Sequence, residues 1–133
     1  MWEKTMHLKK ENFGEGDQVL LHELSALQRM EYLEFIADHS SKLDAIPADA
    51  PESKKMAEFG SLAMKLHAWL VSRSLWHSDR KRNIDEIMDE VLNDWSPKMI
   101  TSAAVKVQEL SDILPVESDS SADDTTPKSL GKS

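Results

Sequence analysis

The sequence predicts a mainly α protein, in which about four helices pack as a small bundle, with a short N-terminal β-hairpin and a disordered acidic C-terminal tail. Two observations predict the helices: apolar residues recur at helical spacing over most of the chain, and its 133 residues include only 4 glycines. The third observation concerns the tail, because "ESDSSADDTTPKSLGKS" has too few large apolar side chains to offset the entropy of ordering. The predicted organisation is a frayed N-terminus at residues 1–5, one folded domain at 6–114 and a disordered linker or tail at 115–133.

Local signals near the N-terminus predict the hairpin and the first helix. Residues 7–13 and 18–22 flank "GEGD", whose glycines make the positive φ of a tight turn available. Ser25 and Gln28 form an S-x-x-Q capping box that begins a helix, and the helical pattern fades near Asp44. The apolar residues at helical spacing in this helix are Leu27, Met30, Leu33, Ile36 and Ala37.

Three further helices are predicted after the prolines of "IPADAP". Asp49 and Glu52 are predicted to cap the second helix, whose broad apolar stripe implies contacts on more than one side. Asn83 opens the third helix, and Ser96 with Pro97 opens the fourth. The residues of the third helix predicted to face inward are Ile84, Ile87, Met88, Val91, Leu92 and Trp95.

The composition excludes several classes of protein. The net charge of -8 disfavours nucleic-acid binding, which needs a basic face, and the one basic cluster, residues 80–82, is flanked by Asp79 and Asp85. The absence of cysteine rules out disulfides and thiolate metal sites. No stretch approaches the roughly 20 apolar residues of a membrane span, so no membrane association is expected.

Catalytic and cofactor motifs are equally scarce. "HEL" at residues 22–24 begins like a zinc protease helix, but Ala26 stands where the second histidine would be. His67 lies in the apolar stretch "KLHAW", which favours a buried core histidine over a ligand. The C-terminal "GKS" lacks the first glycine of a phosphate-binding loop, since Thr126 occupies that position. We therefore predict neither enzyme activity nor a cofactor; a hydrolase that uses His67 or His77 is a weaker hypothesis.

The tryptophans suggest a second kind of function, the binding of a partner. Trp69 lies within the apolar stripe of the second helix, where a core role is favoured. Trp76 and Trp95 lie at helix ends, where aromatic side chains also serve as interface anchors. For these two residues the core and the interface interpretations both stay open.

Three sequence blocks resemble a known family. "LHELSALQRMEYL" at residues 21–33, "LVSRSLWHSD" at 70–79 and "EIMDEVLNDWSPKMITSAAVKVQELSDI" at 86–113 are similar, in this order, to the minor tail protein G of lambda-like phages. This family consists of tail assembly chaperones. The resemblance covers about residues 6–114, and residues 39–68 match less closely.

The resemblance implies a function that composition does not show. Such chaperones are expected to coat the long tape measure protein in the host cytoplasm, keep it soluble, and help recruit tail tube subunits. They are not expected in the mature virion. A longer product, made by ribosomal frameshifting, carries a C-terminal extension that contacts the tail tube protein. Self-association on a long partner is also expected.

The frameshift also gives a hypothesis for the C-terminal "SLGKS". Leu130, Gly131 and Lys132 can be encoded so that the heptamer G-GGA-AAG appears, on which both tRNAs can re-pair one base back. The glycine and lysine would then be present because their codons form the frameshift signal in the mRNA, and not because their side chains have a function in the protein. The polar tail would act as a linker in the longer product.

The first helix is our predicted partner-binding surface. A chaperone for an apolar helical partner needs exposed apolar stripes together with net charge for solubility. The alternative is an acidic helical adaptor or inhibitor that binds a host factor by mimicking the charge of DNA. The predicted partner-binding residues are Leu27, Arg29, Met30, Leu33, Trp76 and Trp95.

Overall fold

The computed structural model describes residues 7–113 and confirms the predicted mainly α class with an N-terminal hairpin. The frayed end predicted at residues 1–5 and the disordered tail predicted at 115–133 lie outside the described residues. In chain order, the elements are β1 (Lys10–Phe13), β2 (Val19–His22), α1 (Ala26–Asp44), α2 (Glu52–Trp76), α3 (Ile84–Asp94) and α4 (Pro97–Leu110).

Helix α2 is the central element, and α1, α3, α4 and β2 all pack against it. Its buried residues lie between His67 and Ser74, so only the C-terminal half of the predicted stripe is enclosed on several sides. The N-terminal half is exposed, including Met56 and Phe59. The core therefore forms around the C-terminal half of α2. Its members are Leu21, Leu24, Tyr32, Ala68, Trp69, Leu70, Val71, Val91, Ile100, Ala103, Ala104 and Val107.

The hairpin is joined to the bundle by two buried serines. The strands pair antiparallel from Lys10 with His22 onward, and the turn uses positive φ at Gly14 and Gly16. Ser74 Oγ accepts a hydrogen bond from His22 N at 2.6 Å and donates to His22 O at 2.8 Å. Ser111 Oγ accepts from Leu24 N at 2.9 Å. The two serines thus satisfy backbone groups of His22 and Leu24, which fixes the chain directly before α1.

Three of the four helix starts match the sequence prediction. The capping box of Ser25 and Gln28 is present at α1, and the side chains of Asn83 and Ser96 cap α3 and α4. The cap predicted for α2 was wrong, because Pro51 occupies that position without a side-chain hydrogen bond. Pro51 disfavours a helical conformation for the residue before it, so the helix cannot extend back toward Asp49.

One inward-facing prediction in α3 was also wrong. Leu92 is 38% exposed, whereas Ile87 and Val91 are buried at 4% and 1%. Helix α3 has only 11 residues and packs mainly on α2. The buried side of α3 is therefore narrower than the apolar pattern predicted.

Candidate partner-binding surface

The apolar stripe of α1 faces solvent. Leu27, Met30 and Leu33 are 63%, 59% and 60% exposed. Their spacing of three residues places them along one side of the helix, over about two turns. Large apolar side chains in a contiguous exposed group are typical of interaction surfaces. We call these three residues the α1 stripe.

The opposite side of α1 is held in the bundle by a polar residue, Gln28. Its Nε2 donates to the carbonyl of Arg73 at 3.3 Å, and its Oε1 accepts from Ser25 N at 3.1 Å. His77 Nε2 also donates to Oε1, at 2.7 Å. Tyr32, one turn later, is 2% exposed and packs on Trp69 with ring centroids 5.9 Å apart. These contacts fix the rotation of α1 and leave the α1 stripe outward.

A groove of about 760 Å³ adjoins the α1 stripe. It runs between α1, the C-terminal half of α2 and the beginning of α3, and we call it the aromatic groove. Phe35 and Trp69 stack inside it with ring centroids 5.5 Å apart. The lining residues are Ser25, Leu27, Gln28, Glu31, Glu34, Phe35, Trp69, Arg73, Trp76, Asn83 and Ile84.

Arg73 is the one basic side chain among the residues that line the aromatic groove. Its guanidinium lies over the Trp69 ring, 4.6 Å from the centroid, and donates to Ser72 Oγ at 3.1 Å. Burial lowers the pKa of Arg73, and the carboxylates of Asp85 and Glu31 oppose that shift. The arginine stays charged, since its pKa begins far above neutrality.

The predicted site residues do not all meet. Leu27 and Trp76 line the same aromatic groove, and Met30 and Leu33 continue from Leu27 along α1. Trp76 is half-buried, with the Arg80 guanidinium 5.2 Å from its ring centroid. Trp95 is half-buried against the core and is not a groove residue.

Arg29 occupies a different flank of α1 and has a structural contact. Its Nη1 donates to the carbonyl of Ser111 at 3.0 Å, which ties α1 to the end of α4. A substitution of Arg29 would therefore disturb the packing of two helices as well as any partner contact.

A second exposed apolar patch lies at the connection between α1 and α2. Met56 and Phe59 are 69% and 62% exposed, on an open depression of about 550 Å³ that Leu43 and Ile46 also line. We call it the corner patch. Helical periodicity includes Met56 and Phe59 in the broad apolar stripe predicted for α2, but the structure leaves both side chains exposed near the beginning of that helix.

The histidines form no metal-binding cluster in the part of the chain that is described. No group of three or more potential metal ligands occurs among residues 7–113. His22 and His77 lie 5.5 Å apart, ring to ring, and Arg80 Nη2 donates to His77 Nδ1 at 2.8 Å. The pKa of His77 is lowered to about 4. The largest cause is burial, followed by the charge of Arg80 and the proximity of His22. His67 is buried, as predicted.

Two further sequence predictions concern membrane spans and the frameshift positions. None of the described helices is long and apolar enough to cross a membrane. Leu130, Gly131 and Lys132, the frameshift positions, lie outside the described residues.

Comparison with known proteins defines the class to which this fold and surface belong. Residues 6–129 match the family described as "Bacteriophage lambda tail assembly chaperone, TAC, protein G". The chain therefore belongs to the phage tail assembly chaperone G family, as the three sequence blocks indicated. No solved structure matches the chain.

Proteins of two Escherichia phages are similar to this chain. Tail assembly protein G of Escherichia phage N15 is 32% identical over 74% of this chain and 71% of the relative. Tail assembly protein G of Escherichia phage lambda is 34% identical over 80% of this chain and 77% of the relative. Tail assembly protein GT of phage lambda is also 34% identical, but this chain spans only 39% of its length.

Proposed function

We propose that this chain is a chaperone that binds and solubilises the tape measure protein and promotes polymerisation of the tail tube. It acts in the host cytoplasm and is absent from the mature virion. Membership of the tail assembly chaperone family supports the general role. The observation that carries the proposal is the α1 stripe, an exposed apolar surface on a chain whose net charge of -8 keeps it soluble.

The α1 stripe has the properties of a helix-docking surface. Its three side chains are each about 60% exposed, so each can gain roughly 1–2 kcal/mol when a partner covers it. Leucine and methionine adapt to irregular apolar partners, since their side chains are flexible. The adjoining aromatic groove supplies Trp76 as an anchor.

The experiment is co-expression of the tape measure protein with the tagged chain, followed by co-purification. We expect the double variant Met30→Asp/Leu33→Asp to lose co-purification and to leave the tape measure protein insoluble, because two charges would face the docked helix. The matched control is Met56→Asp/Phe59→Asp, which places the same charges on the corner patch. Circular dichroism of both variants would establish that helix content is retained.

The outcome locates the binding surface. Normal co-purification of Met30→Asp/Leu33→Asp would refute docking on α1. Loss with the Met56→Asp/Phe59→Asp variant alone would place the interface at the corner patch. Absence of co-purification with the unaltered chain would refute tape measure binding itself.

A second part of the proposal is a longer product made by −1 frameshifting near Gly131 and Lys132. The GT relatives of both phages support it, since this chain spans only 40% and 39% of their lengths. Contact with the tail tube protein would come mainly from the extension of that longer product. Self-association of the chain on the tape measure protein is a further element of the proposal.

Expression of the native gene with its downstream DNA, tagged at the N-terminus, tests the frameshift. We expect a strong band of the present size and a faint longer band. Silent changes in the codons of Gly131 and Lys132 should remove the longer band alone. A single band that silent changes leave unaltered would refute the frameshift.

A further inference from the structure

The aromatic groove carries an excess of negative charge. Glu31 and Glu34 line it from α1, against one cation, Arg73. Asp85 and Glu86, in the first turn of α3, follow directly after the lining residues Asn83 and Ile84. An apolar groove between two acidic helix segments is complementary to a partner that combines apolar and basic side chains.

The local cations offset only part of this charge. Arg82, which directly precedes the lining residue Asn83, is already paired with Glu90. Arg73 is held over Trp69 and bonded to Ser72, and it already lies in the field of both Asp85 and Glu31. Arg80 stacks over Trp76 and donates to His77. Each guanidinium is thus engaged inside the protein, while the two glutamates of α1 remain exposed.

The acidic side chains of the groove are available to a partner. Among residues 7–113, neither Glu31 nor Glu34 forms an ion pair, whereas Asp38, one turn further along α1, is paired with Lys42 at 3.4 Å. The carboxylates of Asp85 and Glu86 also form no ion pair within these residues. None of these four exposed carboxylates must break an ion pair to bind lysine or arginine, although Glu31 and Asp85 already interact with Arg73 at longer range.

We infer that the aromatic groove, together with the α1 stripe, selects a basic amphipathic helix. The apolar residues of this partner helix, at i, i+3, i+4 and i+7, cover Leu27, Met30 and Trp76. Its lysines or arginines pair with Glu31 and Glu34. The inference rests on the proposed function in taking this helix to be a segment of the tape measure protein. The inference adds that charge distinguishes the bound segment from other segments that are equally apolar.

Three labelled synthetic peptides of equal length test the selectivity by fluorescence anisotropy. The first has an apolar stripe flanked by lysines, the second has the same stripe flanked by glutamates, and the third is a scrambled basic peptide without a stripe. We expect the basic amphipathic peptide to bind at least tenfold more tightly than either of the others at low salt. The advantage over the acidic peptide should shrink as salt is added.

Charge variants locate the effect. Glu31→Lys/Glu34→Lys should abolish or reverse the preference for the basic peptide. The matched control, Glu15→Lys/Asp17→Lys, changes the net charge equally at the exposed hairpin turn and should leave the preference intact. Equal binding of the acidic amphipathic peptide or of the scrambled peptide would overturn the inference, as would an unchanged preference in Glu31→Lys/Glu34→Lys.

Failure of this inference is distinguishable from failure of the proposed function. If the tape measure protein co-purifies through the α1 stripe but Glu31→Lys/Glu34→Lys binds the peptides as the unaltered chain does, charge selection is wrong and the chaperone function stands. If the basic peptide is selected through Glu31 and Glu34 but no tape measure protein co-purifies, the groove chemistry stands and its assignment to that partner fails.

Discussion

At the scale of single residues, Gln28 determines which side of α1 enters the bundle. It is 6% exposed and links the α1 cap, the last turns of α2 and His77 through four hydrogen bonds. A buried polar group with this many partners specifies one orientation of the helix, because any other orientation leaves several groups unsatisfied. The exposure of Leu27, Met30 and Leu33 follows from that orientation.

Gln28→Ala should lower the free energy of unfolding by about 2–3 kcal/mol, because it leaves the Arg73 carbonyl and the Ser25 amide without their partner. Urea unfolding followed by tryptophan fluorescence would measure the change. The control Leu27→Ala, at an exposed position one residue earlier, should change stability by less than about 0.5 kcal/mol. Equal effects of the two substitutions would contradict the anchoring role of Gln28.

Acid should destabilise the fold through His77. Its pKa is lowered to about 4, so the unfolded chain binds the proton first as the pH falls below about 6.5. Stability from this group is therefore complete above pH 6.5 and declines until the pH reaches about 4. Allowing for its partial exposure, the loss is about 1–2 kcal/mol. His77→Gln should unfold with a flatter dependence on pH across this window; an equally steep dependence would contradict the assignment.

At the scale of secondary-structure elements, the hairpin and the helices are joined by side chain to backbone hydrogen bonds. Ser74 of α2 forms hydrogen bonds with both the backbone amide and the backbone carbonyl of His22. Ser111, just after α4, accepts a hydrogen bond from the backbone amide of Leu24. These contacts, 52 and 87 residues apart in sequence, close the fold around β2. The hairpin is therefore a docked part of the domain.

Ser74→Ala should cost about 1–3 kcal/mol, because it leaves a buried amide and a buried carbonyl of β2 unsatisfied. Ser72, equally buried on the same helix, donates to the carbonyl of Trp69 in its own helix, and Ser72→Ala should cost less. Chemical unfolding of the two variants gives the comparison. A larger loss for Ser72→Ala would show that the hairpin contact contributes little.

The sequence predicted elements better than it predicted their orientation. The caps of α1, α3 and α4 depend on neighbouring residues, and local patterns therefore located them. Periodicity could not tell that the stripe of α1 faces solvent, because that depends on Gln28 meeting Arg73 and His77, 45 and 49 residues away. The same limit applies to Met56 and Phe59, which look like core residues until the lengths of the packed helices are known.

At the scale of the whole molecule, residues 7–113 form a buried core and two exposed apolar surfaces. The α1 stripe lies on α1, and the corner patch lies at the connection between α1 and α2. The net charge of -8 opposes non-specific association. A chaperone needs this combination, since its binding surface must stay available without causing aggregation. Docking on α1 therefore requires that the partner cover the α1 stripe and not the corner patch.

Site-specific photocrosslinking tests that point most directly. A photoreactive amino acid would replace Met30 on the α1 stripe or Met56 on the corner patch, in cells that co-express the tape measure protein. We expect a crosslinked adduct from position 30 and little from position 56, because the partner helix covers α1. An adduct from position 56 alone, or from neither position while the tape measure protein remains soluble, would contradict docking on α1.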